Sequence, residues 1–249
     1  EADLIEEVIR IYGYDRVPER TTIPIHVGSV SRGERAEARA REMLVGFGYY
    51  EVFTNSFFTE PPPRFVSPWS DAEPLEVRNT IRRDENRLRL SILPELLRVK
   101  RTNAARGNER SPVFEISRVY LPRPDAGPKG DSARPVEKLV LSLLSEDDLL
   151  TLKGVIETLV CRLGVAAGSR VEPLNDPFFR RDRAAEILLD DERFAVLGEV
   201  SKETADRFDL VRAPCVAELD FNALVKRADF APTYSTLPAF PGSVRDLAV

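Results

Sequence analysis

Apolar side chains at Leu4, Ile5, Val8, Ile9 and Tyr12 follow the three-and-four spacing of one helical face, and Asp3 with Glu6 forms a capping-box pattern ahead of them. The pattern predicts a short helix over residues 3–12, closed by Gly13. The stretch from there to Pro24, with two prolines and paired threonines, predicts an extended connector and a boundary between parts of the chain. Ser31 and Glu34 make a second capping box, after which Ala36, Ala40, Met43, Leu44 and Phe47 trace one face of a helix stopped by Gly46 and Gly48. Residues 50–58 are rich in aromatic and β-branched side chains and predict a strand, which Pro61, Pro62 and Pro63 end. Residues 75–79 read as a further strand, 91–106 as a helix with Pro94 in its first turn, and 113–121 as another strand.

Four prolines with glycine and serine over 122–135 predict a loop joining two halves of the chain. A continuous apolar strand follows at 138–144, and Leu149, Leu152, Ile156, Leu159, Val160 and Leu163 mark a helix capped by Gly164. Residues 185–189 and 194–200 flank Asp190, Asp191 and Glu192 as a hairpin, and 217–221 supply a last strand before a short helix. Strands joined directly or separated by irregular helices, without βαβ alternation, place the chain in the α+β class with a mainly antiparallel sheet. There is no internal repeat.

Composition narrows the class. At 249 residues, 43% hydrophobic, 31% charged and with a net charge of −5, the chain is neither a disordered tail nor a fibre, and it is long enough for one large domain or two small ones. The longest apolar runs fall far short of the roughly 18 residues of a membrane span, and the first thirty residues carry no basic-then-apolar leader, so no membrane is expected. Two cysteines, Cys161 and Cys215, point to a reducing compartment, hence a cytoplasmic location, and to no disulfide framework. A start at Glu1, a lone methionine at Met43 and an end in an apolar stretch suggest a piece of a longer protein. The mildly acidic balance argues against a surface devoted wholly to nucleic acid.

Several segments carry a resemblance. DLIEEVIRIYGYDRVPE (3–19), GYYEVFTNSFF (48–58), LRLSILPELL (88–97), FEISRVY (114–120), LKGVIETLVCRLG (152–164), LGEVS (197–201), ELDFNAL (218–224) and FPGSVRDLAV (240–249) occur in the order in which similar segments occur in the bacterial phenylalanine–tRNA ligase β subunit. The chain resembles that family along essentially its whole length. The resemblance implies three parts: 1–20 as the end of a preceding domain, 21–236 as a class II aminoacyl-tRNA synthetase-like core with a mainly antiparallel sheet flanked by helices, and 237–249 as the first strand of a ferredoxin-like anticodon-binding domain. Thr80 stands where the family usually has proline, and Ser201-Lys202 where it usually has histidine-proline.

A class II active site neutralises ATP phosphates with an arginine on a motif 2 strand and another after a glycine-rich motif 3 strand. Gly107, Gly127 and Gly130 lie in predicted loops without that pattern, and Arg118, though on a strand, lacks its partner. No catalytic residues are therefore assigned. His26, the only histidine, lies in a connector away from either cysteine, which disfavours a nucleophilic triad, and two cysteines with one histidine at no recognisable spacing disfavour a zinc site. Asp3, Glu6 and Glu7 bring three hard oxygen donors toward one side of a helix start, a Mg²⁺-compatible set, though the spacing alone favours a capping box with a dipole-favouring glutamate. The resemblance implies that these three bind Mg²⁺ near a catalytic α subunit, with one more acidic ligand upstream of Glu1.

Residues 78–110 hold nine arginines and one lysine against four acids, either a solvated face or a contact for tRNA phosphates. Tyr49, Tyr50, Phe57 and Phe58 are either core or a subunit contact. The leading expectation is the non-catalytic core of the β subunit, packed on the catalytic α subunit of an α2β2 ligase that binds ATP in α and joins phenylalanine to tRNA(Phe). Alternatives are a tRNA-binding module using 78–110 and a divergent free-standing amino-acid-activating enzyme.

Overall fold

The computed structural model describes residues 1–19, 21–25, 28–58, 67–80, 85–123, 134–165, 168–231, 234, 236–237, 240, 242–243 and 245–246. His26 and the prolines at 61–63 lie outside the described residues, as does most of the 122–135 loop. The chain divides into two compact units, Glu1–Ser31 and Arg32–Val249.

The first unit is helix α1 (Ala2–Tyr12) followed by a single 3₁₀ turn, Tyr14–Arg16. The helix starts a residue ahead of the expected one, with Glu1 rather than Asp3 at its N-cap and no side-chain cap bond, so the expected box does not form. Gly13 ends it at φ 101°, a conformation that suits only glycine, and its N–H donates to the Ile9 carbonyl.

The second unit is built on a seven-stranded sheet in the order β1-β4-β5-β9-β8-β7-β6. Its strands are β1 (Tyr50–Glu51), β4 (Val113–Leu121), β5 (Val136–Ser145), β6 (Ser169–Pro173), β7 (Phe179–Leu189), β8 (Glu192–Val200) and β9 (Cys215–Asp220). Every pairing is antiparallel except β1 with β4. A separate two-stranded ribbon joins β2 (Phe57–Phe58) to β3 (Arg87–Leu88).

Strand alternation sends Phe114, Ile116, Leu141, Leu143, Ala217 and Leu219 to one face, where they meet Ala36, Ala40 and Leu44 of α2 (Arg32–Gly46), Leu152, Ile156 and Leu159 of α4 (Leu149–Arg162), and Leu224 of α6 (Phe221–Arg227). Val113, Val119, Val140, Leu144, Val196 and Val216 point to the other face, covered by Leu93, Leu96 and Leu97 of α3 (Leu93–Ala105) and by Trp69. Helix α5 (Lys202–Arg207) adds Ala205 to that second core. The α+β class and the mainly antiparallel sheet thus hold.

Two expectations about strands need correction, and one strand pairing is new. The strand over 50–58 is two short ones, because the chain leaves β4 at Thr54, whose N–H and hydroxyl both donate to the buried Glu115 carboxylate (3.2 and 2.6 Å) instead of extending the ladder. The Asn55 side chain then accepts from the Phe57 N–H and turns the chain into β2. Residues 75–79 form no strand, only the single bridge Glu76 to Arg87. Strands β6 and the first half of β7 went unforeseen, since Ser169–Pro173 is mostly exposed and lacks an apolar alternation.

Candidate functional site

The sheet face beneath α3 gathers polar side chains that the hydrophobic pattern gives no reason to bury. Cross-strand register sets Glu115, Ser142, Glu218, Val196 and Glu186 side by side over five strands. Glu115 and Glu218 are both buried to about the last per cent of their surface. A buried carboxylate is tolerated only with partners, and both have them.

Glu218, on β9, accepts four hydrogen bonds: from the Trp69 indole (2.7 Å), the Ser91 hydroxyl (3.0 Å), the Ile92 N–H at the N-terminus of α3 (2.8 Å) and the Ser142 hydroxyl (2.7 Å). Burial pushes its carboxyl above the usual carboxylate range, and these donors pull against that shift. Glu115, on β4, pairs with Arg89 at 3.0 Å. Three more Arg89 N–H groups go to the Ser117 hydroxyl (2.7 Å), the Thr54 hydroxyl (2.8 Å) and the Arg118 carbonyl (3.0 Å), and the side chain is buried. Lys138 binds Asp220 and stacks 4.5 Å from the Trp69 ring centre. Arg193 bridges Glu186 (2.6 Å) and the Pro68 carbonyl (2.9 Å). Among the described residues no buried side-chain polar atom lacks a partner.

One opening on this face is a crevice of about 270 Å³ beside Ser67, Leu93, Phe178 and Arg193. That is below the roughly 300 Å³ at which small-molecule pockets begin. A larger hollow of about 510 Å³ lies between α4 and the β6–β8 edge, but Ile156, Val160, Val171, Leu189 and Phe194 line it and no arginine or lysine does. Neither offers cations free to hold a triphosphate. The passage from β9 into α6 carries Ala217, Glu218, Leu219, Asp220 and Phe221, with Asp220 capping the helix through the Ala223 N–H (2.9 Å) and Phe221 fully buried.

Of the sequence-predicted candidates, Arg89 of the basic stretch belongs to this buried row. Asp3, Glu6 and Glu7 are exposed on α1, Glu7 is held by Arg10 at 2.6 Å, and among the described residues no three His, Cys, Asp or Glu side chains are gathered to hold a metal. Arg118 is exposed and pairs with Glu137 at 3.3 Å. In the basic stretch, Arg89 and Lys100 are buried, the latter against Glu146, while Arg101 pairs with Asp209 and Arg110 with Asp147, both at 2.9 Å. Tyr49 and Phe58 are core, whereas Tyr50 and Phe57 face outward together with Val45, Phe47 and Phe53. Cys161 is an exposed thiol; Cys215 is buried, and burial pushes it up to about 11. Among the described residues no helix is long and apolar enough to cross a membrane.

Sequence reasoning missed Glu115 and Glu218 as partners of Arg89 and Trp69. The available signal was charge inside otherwise apolar strands, at Glu115 in 113–121 and Glu218 in 215–220.

The fold is that of the class II aminoacyl-tRNA synthetases. A pyrrolysyl-tRNA synthetase from Desulfitobacterium hafniense superposes with a TM-score of 0.57 at 12% identity, covering 81% of this chain and 74% of that one. A Giardia lamblia prolyl-tRNA synthetase in complex with prolyl-adenylate does so with a TM-score of 0.60 at 11% identity, over 79% of this chain and 45% of that one. In sequence, the phenylalanine–tRNA ligase beta subunit of Rhodopirellula baltica is 36% identical over 99% of this chain and 37% of its own length. That of Moorella thermoacetica is 33% identical over 100% of this chain and 32% of its own. The chain spans about a third of the length of these relatives. Residues 18–221 match the phenylalanyl-tRNA synthetase beta chain CLM domain, and the chain belongs to that family.

Proposed function

We propose that this chain is a non-catalytic scaffold within a cytoplasmic phenylalanine–tRNA ligase, packing on the catalytic α subunit that uses ATP to attach phenylalanine to tRNA(Phe). One observation carries the reading: the chain's own side chains pack on both sheet faces, and among the described residues Arg89, Arg193 and Lys138, which reach the polar face, are each held by internal partners. A nucleotide would have to break those bonds to bind.

The exposed Val45, Phe47, Tyr50 and Phe53, beside the two-residue edge strand β1, supply the apolar surface for the α contact. In the basic stretch 78–110, the ion pairs of Lys100, Arg101 and Arg110 disfavour the tRNA-module alternative. The α subunit and this chain should sediment as one complex at micromolar concentration, and Tyr50→Glu with Phe53→Glu should abolish it; separate sedimentation of the unmodified pair would refute the reading.

The three-part division at 20/21 and 236/237 belongs to the same proposal. Asp3, Glu6 and Glu7 are the right donors for Mg²⁺ but, as folded in this chain alone, do not form a closed site, since Glu7 is engaged by Arg10 and the three are not gathered. We assign them to Mg²⁺ only with oxygen donors from outside this chain, and no step of the function runs through the ion.

A further inference from the structure

The donors around Glu218 form an anion site in their own right. The Ile92 N–H and the Ser91 hydroxyl sit at the N-terminus of the thirteen-residue helix α3, the Trp69 indole comes from a separate segment, and the Ser142 hydroxyl comes from the neighbouring strand. Converging N–H and O–H groups at a helix start suit a phosphate or carboxylate. Here the acceptor is tethered to β9.

Three of the four donors belong to the layer that covers the sheet, so this one carboxylate ties two covering segments down at once. Ser67 strengthens the tie, giving its hydroxyl to the Leu90 carbonyl (2.7 Å) and accepting from the Trp69 N–H (3.1 Å).

We propose that Glu218 is an internal ligand: its carboxylate fills the anion site and thereby latches the Trp69 segment and the start of α3 shut over the sheet. The latch rests on this geometry and not on the ligase reading, so an α subunit that failed to bind would leave it standing. It predicts that the cover opens locally, before the sheet melts, once the acceptor is removed, and that a small free carboxylate can take the vacated place.

Trp69 is the chain's only tryptophan and reports on its own hydrogen bond. In Glu218→Ala, acrylamide quenching of its fluorescence should rise several-fold while the far-ultraviolet circular dichroism of the sheet is retained, and millimolar acetate, unlike chloride at equal ionic strength, should reverse the rise. Ser91→Ala removes one donor and should give a smaller increase in the same direction, which provides the test if the alanine variant at 218 fails to fold. Unchanged quenching in folded Glu218→Ala, acetate and chloride acting alike, or unchanged quenching in Ser91→Ala when the first variant cannot be made, would each overturn the latch.

Discussion

Arg89 and Glu115 show how much a single pair can decide. Both side chains are almost wholly out of water, so removing one partner strands the other's charge in the core. Arg89→Met should cost about 3–5 kcal/mol in urea unfolding, whereas Arg89→Met combined with Glu115→Leu should cost clearly less, because no charge is left unmatched. The cysteines give a second check. With Cys215 buried and its thiol raised to about 11, Ellman's reagent at mildly alkaline pH should titrate Cys161 alone in the native protein and both thiols after denaturation. At this scale the sequence was least legible. A string of letters shows that Glu115 and Glu218 interrupt apolar strands, but only the register, Glu115 opposite Ser142 and Ser142 opposite Glu218, reveals that they lie in one row with Arg89 and Trp69 closing over it.

Elements were read far better where periodicity was long. The helix marked by Leu152, Ile156 and Leu159 and the strand over 113–121 appear where expected, since burial on one face or both leaves a pattern in the letters. Residues 50–58 misled because aromatic content signals a pleated surface but says nothing of Thr54 diverting its N–H to a carboxylate sixty-one positions away. Two element ends invite measurement. Gly164 closes α4 at φ 71°, where a Cβ would lie 1.9 Å from the Asp229 carbonyl oxygen. Gly164→Ala should lower stability by at least about 2 kcal/mol, read from the denaturation midpoint.

At the other end of α4, Asp148 accepts from the Thr151 N–H at 2.8 Å, and that bond holds its carboxyl below the usual range. A depressed acid contributes stability above its unfolded pKa and loses it as pH falls through the folded value. Asp148→Asn should therefore flatten the acid limb of the stability–pH curve.

For the whole molecule, the telling fact is that the class II sheet persists with side chains of its own chain packed on both faces. Fold and activity are separable in this architecture. Phenylalanine-dependent pyrophosphate exchange should stay at background for this chain alone, and appreciable exchange would revive the enzyme alternative.

The β7 strand has a practical consequence. Its pairing with β8 jumps from Phe179–Val200 to Ala184–Gly198, leaving residues 180–183 outside the register, with Arg180, Arg181 and Arg183 exposed and Asp182 at φ 59°. Those arginines offer trypsin exposed scissile bonds where β7 leaves its register with β8. A cut there divides the chain between β6 and the rest of β7, yet β9 still lies against β5 across the break. The nicked protein would run as two fragments on a denaturing gel and travel as one particle through a sizing column, a natural seam at which to split and reassemble this domain.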